Sequence, residues 1–215
     1  MCQKNIYYFL TYESRSIPDR ILKRARSGGR GSVFTPADFL DMAGRAAVDQ
    51  ALSRLAKGGR LRRLARGLYD FPKVHPKLGP LSPGPDDVAR ALARETGSRV
   101  QIAGARAANA LGLSTQVPAK STYLTDGPSR RVVLGKRIVD LRHASPKHLI
   151  APGSPAGTVV QALRHLGPVR ATDVVQVAIR QLSARDKKML AANAVQAPAW
   201  MRPTLVSIAS GALDG

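Results

Sequence analysis

Cysteine is nearly absent from this 215-residue sequence, and the lone Cys2 excludes an internal disulfide framework and any Cys-based zinc site. Acidic side chains are scarce: 14 Asp and Glu stand against 34 Lys and Arg, a formal charge of +20 at pH 7. A globular chain seldom carries such an excess unless it meets a polyanion. Aromatic residues make up only 5 %, so Leu, Val and Ala must fill the core. No run approaches the roughly 18 consecutive apolar residues of a membrane span. The Ile6-Tyr7-Tyr8-Phe9-Leu10 run is too short, and lacks the small-residue cleavage site, for a secretory signal. A cytoplasmic protein without membrane association is expected. With 44 % hydrophobic and 22 % charged residues, the chain can bury a sizeable core.

Signals for catalysis are also missing. His75, His143, His148 and His165 lack metal-ligand spacing. Asp126 and Asp140 are the carboxylates one would try as nuclease ligands, but Leu141-Arg142, not a lysine two residues on, follows Asp140. The Gly-rich Ser27–Ser32 stretch has no Walker lysine, and no Gly-x-Ser-x-Gly elbow or Cys nucleophile with a partner occurs. The expectation is a non-enzyme with no cofactor, no metal and no catalytic residue.

What is present divides the chain. Residues 1–16 have no periodicity and read as an extension. Ile17, Ile21, Leu22 and Ala25 recur at helical spacing, with Pro18 in the first turn and Gly28-Gly29 as the stop. Thr35-Pro36-Ala37-Asp38 carries the signals of a second, short helix: an N-cap Thr, Pro at the first position and Asp near the positive end. A third helix is predicted from Arg45 to Lys57, closed by Gly58-Gly59, with Val48, Ala51, Leu52 and Leu55 as its apolar stripe. Two strand-like runs follow, Leu61–Leu64 and Leu68–Phe71, turned by Arg66-Gly67. Three helices and a basic hairpin over residues 17–75 have the order of a winged helix-turn-helix.

Residues 76–85 hold four prolines and are expected to form a linker. Residues 86–215 then read as a second domain. It begins with helices near 86–95 and 103–111. Runs at 121–125, 131–134 and 137–141 follow and suggest an antiparallel meander. Helices come next near 156–166, 172–182 and 184–196, and a weaker helical pattern at 198–209. The fold class expected is α+β: an N-terminal winged helix followed by a mixed domain with a small antiparallel sheet and several helices. Residues 1–75 carry 15 basic and 6 acidic side chains, net +9, and residues 76–215 carry 19 and 8, net +11.

The third helix turns Ala46, Gln50, Ser53, Arg54 and Lys57 away from its apolar stripe, with Asp49 at the edge. Gln can bond adenine bidentately and Arg can bond guanine, and Gln50 and Arg54 lie one turn apart. A solvated helix face would look the same in isolation. What favours DNA is the adjoining hairpin, which holds Arg60, Arg62, Arg63 and Arg66 within seven residues. Arginines on such a ribbon suit phosphates or a narrow minor groove; as edge protection against aggregation, lysine is the usual residue. Arg45 completes the predicted DNA-binding set, either through phosphate or by pairing with Asp49.

The segments Val33-Phe34-Thr35-Pro36-Ala37-Asp38-Phe39, Arg45–Leu55 and Leu61-Arg62-Arg63-Leu64-Ala65-Arg66-Gly67-Leu68-Tyr69 resemble the AbiEi-like antitoxins of type IV toxin–antitoxin systems. Residues beyond 86 resemble that family more loosely, through the 103–112 helix and the strands after it. The resemblance implies a winged helix bound to double-stranded DNA at the chain's own operator, autorepression, and a C-terminal domain needed for antitoxicity. It also implies a nucleotidyltransferase-like toxin as a functional partner without a stable complex. Gly44 stands where a Ser or Thr cap is expected, and the N-terminal extension is unlike the family. The rival expectation is an RNA-binding or nucleic-acid-processing enzyme that uses the winged helix for docking.

Overall fold

The computed structural model describes residues 16–115 and 118–211. The extension expected over 1–16 therefore lies, except for Ser16, outside the described residues. The chain divides into two compact units, residues 1–95 and 96–215, and both mix helices with sheet.

In the first unit, helix α1 (Ile17–Ser27) starts at Ser16, whose hydroxyl accepts from the Asp19 backbone N–H, and buries Ile21, Leu22 and Ala25. The short helix expected at Thr35 is a single 3-10 turn, Pro36–Phe39. The Thr35 N–H donates to the Asp38 carboxylate at 2.8 Å, which caps the start of the turn. Helix α2 (Arg45–Lys57) has the predicted bounds and buries Val48, Ala51, Leu52 and Leu55. Strands β1 (Val33–Phe34), β2 (Arg62–Ala65) and β3 (Leu68–Asp70) form an antiparallel sheet in the order β1-β3-β2. Gly67 makes the β2–β3 turn at φ +68°, a region that a side chain would strain. The core joins α1, α2 and the sheet through Phe39, Leu52, Leu61 and Tyr69.

The Pro-rich stretch predicted as a linker is not one. Strands β4 (Lys73–His75) and β5 (Gly79–Leu81) pair antiparallel across it, with Val74 opposite Pro80. Proline is tolerated because each strand of a two-stranded ribbon is an edge. Helix α3 (Pro85–Glu95), which the sequence assigned to the C-terminal domain, falls in the first unit. Its Arg94 donates from Nε to Asp38 Oδ1 and from Nη2 to the Val33 carbonyl, both at 3.0 Å. These bonds hold α3 to the 3-10 turn and to β1, so the division comes after residue 95.

The second unit holds β6 (Val100–Ile102), α4 (Ala105–Ala110), β7 (Lys120–Thr125), β8 (Arg130–Leu134) and β9 (Arg137–His143), with sheet order β6-β7-β9-β8. The expected meander is corrected here. The β6–β7 and β8–β9 pairs are antiparallel, but β7 runs parallel to β9. Asp126 accepts from the Arg99 N–H at 2.7 Å and pairs with its guanidinium, while Thr125 donates to the Arg99 carbonyl. The Asp126-Gly127 bend is thereby fastened to the start of β6; the chain still reverses into β8, but β8 lies one strand further out and β9 fills the place beside β7.

Helices α5 (Pro155–Leu166), α6 (Ala171–Gln181), α7 (Ala184–Asn193) and α8 (Arg202–Ser210) complete the unit. Their core includes Val159, Leu163, Val174, Leu190, Leu205 and Ile208. Buried Gln101 of β6 anchors α5: its Oε1 accepts from the Gly153 N–H and its Nε2 donates to Thr158 Oγ1. At Gly157 a Cβ would come 2.3 Å from the Ala151 carbonyl oxygen, so only glycine permits this approach.

Candidate nucleic-acid interface

Helix α2 sets the geometry of the first unit's polar face. At 100° per residue, its buried stripe fixes Ala46, Gln50, Ser53 and Lys57 on the opposite side, with Arg54 beside them. Ala46, Gln50, Arg54 and Lys57 are exposed and Ser53 is half-buried. Arg45 pairs with Asp49 at 3.0 Å, one turn on, so the acidic residue on this face is already neutralised by its neighbour. Gly44 supplies no side-chain cap to α2. The helix leads almost directly into the hairpin, because the N–H groups of Arg60 and Leu61 both donate to the Leu55 carbonyl.

The four hairpin arginines are not equivalent. Arg60, Arg63 and Arg66 are exposed, with Arg66 at the turn beside Gly67. Arg54, Lys57, Arg60 and Arg63 have no ion pair or side-chain hydrogen bond among the described residues. Arg62, grouped with them by sequence, is held inside. Its Nε donates to Asp70 Oδ1 at 3.0 Å and its Nη2 to Oδ2 at 2.5 Å, and Nη2 also reaches the Leu81 carbonyl. Asp70 is fully buried and lies directly opposite Arg62 in the β2–β3 register. A bidentate bond to a buried carboxylate is structural, and it leaves this guanidinium little to offer a phosphate.

Other cations of this unit carry no spacing signal. Arg30 lies 5.2 Å from the Phe71 ring and donates to the Pro72 carbonyl, and exposed Lys73 lines a cleft of about 420 Å³ with it. Arg24 is tied to Asp41 by two hydrogen bonds of 2.7 and 2.6 Å. That bonding, reinforced by charge, holds the Asp41 carboxyl below its ordinary range. Among the described residues, no cluster of three or more His, Cys, Asp or Glu side chains could hold a metal ion. No helix among them is long and apolar enough to cross a membrane.

No curated protein matches the sequence. Among solved structures, the crystal structure of the RV2827C protein from Mycobacterium tuberculosis is similar, at 17 % identity and a TM-score of 0.43. That match covers 93 % of this chain and 83 % of the other. A family model described as a family of unknown function, DUF6088, matches residues 20–190. Since that match spans most of the sequence, the chain belongs to the DUF6088 family.

Proposed function

We propose that the first unit is a winged helix-turn-helix that binds double-stranded DNA, and that the chain is an AbiEi-like antitoxin that represses its own operon. The observation that carries this reading is the α2 face: exposed Gln50 and Arg54, one turn apart, back onto a fully packed stripe and run into an arginine-bearing hairpin. Gln50 and Arg54 serve as base readers, with Ala46 and Ser53 beside them. Lys57, Arg60, Arg63 and Arg66 take phosphates or the minor groove. In this reading the second unit counteracts a nucleotidyltransferase-like toxin without a stable complex, and the protein is not an enzyme.

Binding of the full chain to its upstream duplex and to a scrambled duplex tests the proposal. Gln50→Ala or Arg54→Ala should cost about 1 to 3 kcal/mol on the upstream duplex and much less on the scrambled one. Equal losses on both duplexes would show that α2 is not the reader. Failure of the chain to rescue growth when the adjacent toxin gene is expressed would remove the antitoxin half.

A further inference from the structure

The second unit contains an open cleft of about 610 Å³ that plays no part in the DNA reading. Its polar wall includes Arg142, His143, His148, Gln161, Arg164 and His165, and no Asp or Glu lines it. Arg142 is already matched by Asp140 at 2.9 Å. Arg164 is not. Its Nη1 lies 2.8 Å from His148 Nδ1, while Nε and Nη2 are buried with no hydrogen-bond partner among the described residues. A guanidinium donor facing Nδ1 requires that atom to accept, which leaves the His148 ring proton on Nε2. Gln161 holds the same turn by donating to the His148 carbonyl at 2.7 Å. Arg164 is half-buried and no carboxylate among the described residues matches its charge, which favours an anion in the cleft.

We propose that this cleft binds a small phosphate ester, with the phosphate on Arg164 and the His148 Nε2–H. A carboxylate offers two oxygens and one charge. A phosphate offers three oxygens and up to two charges, which suits a guanidinium flanked by three imidazoles and a second arginine. The remaining wall includes Leu124 and Ala144, an apolar surface for the organic part of the ester. The volume falls within the roughly 300–1,000 Å³ of small-molecule sites. Burial, and after it the charges of Arg164 and Lys147, hold His148 below its ordinary value. A bound anion reverses that local field. The site stands independently of the DNA-binding reading.

Calorimetry and thermal melting of the full chain with inorganic phosphate, acetate and adenosine 5′-monophosphate provide the test. Phosphate and the nucleotide should bind and raise Tm, with acetate weaker, and the nucleotide should bind more tightly than phosphate. Arg164→Gln should weaken both phosphates by about tenfold or more. Without ligand it should melt no lower than the parent, since it removes a half-buried charge that no carboxylate matches. Arg185→Gln, on the exposed side of α7, controls for the general attraction of a +20 chain and should change nothing. Silent titrations, or equal losses in the two variants, would overturn the proposal. So would binding of a 5′-phosphorylated oligonucleotide that is tighter than that of the mononucleotide and is weakened by Arg164→Gln but not by Arg54→Ala, which would assign the cleft to nucleic-acid ends.

Discussion

Arg62 and Arg63 are neighbours in sequence with opposite fates, and their contrast gives a direct test. Arg62→Ala strands the buried Asp70 carboxylate and should destabilise the first unit by about 3 kcal/mol or more. Arg63→Ala should leave the melting temperature unchanged and weaken DNA binding. Denaturant melts of the two variants check this. The sequence shows four arginines in seven residues but not which one meets an acid across the sheet. That depends on the β2–β3 register, which slips between Arg63 and Ala65. The α2 stripe was legible, by contrast, because helical spacing alone assigns its faces.

His148 offers a second test at the same scale. Lys147 on its own turn, Arg164 and His165 on α5, and Arg142 and His143 at the end of β9 are the charged or titratable groups around it. Burial comes first, then the charges of Arg164 and Lys147, in pushing its pKa below the ordinary 6.5. A depressed folded value means that the unfolded chain takes up the proton first. The stability linked to neutral His148 is thus complete above pH 6.5 and is lost as pH falls through the folded value. Melting temperatures taken from neutral pH down to mildly acidic pH should fall less steeply for His148→Gln than for the parent.

At the scale of elements, composition misled at one place and spacing at another. Four prolines between 76 and 85 read as a linker, because the rule that excludes proline from central strands says nothing about a free-standing ribbon. The ribbon and α3 then belong with the first unit, through Arg62 to the Leu81 carbonyl and Arg94 to Asp38 and Val33. A fragment of residues 16–95 should therefore fold cooperatively, and one of residues 16–75 should be markedly less stable. Amide dispersion in NMR spectra of the two fragments is the readout. A fragment ending at 75 that is equally folded would restore the earlier boundary. In the second unit the strands themselves were legible from their alternation. Their neighbours were not, because local alternation does not say which strand fills the place beside β7, where β9 lies with β8 outside it. The bend after β7 is held by Arg99, far away in sequence, which donates to Asp126 and accepts from Thr125.

For the whole molecule, charge is the quantity that composition gives most directly. With +20 overall, DNA affinity should fall steeply with salt, by about 0.9 log unit per log unit of salt for each phosphate neutralised. Arg63→Ala should reduce that slope by about one unit. Fluorescence titrations at several salt concentrations measure both, and a flat dependence would remove the duplex-binding reading. The β6-β7-β9-β8 order has its own consequence during synthesis on the ribosome. Strands β7 and β8 emerge before β9, and neither pairs with the other. Without β9, the edges of β7 and β8 that pair with it are bare. A chain ended between Gly135 and His143 would therefore leave the β9-facing edges of β7 and β8 open to pairing with another chain.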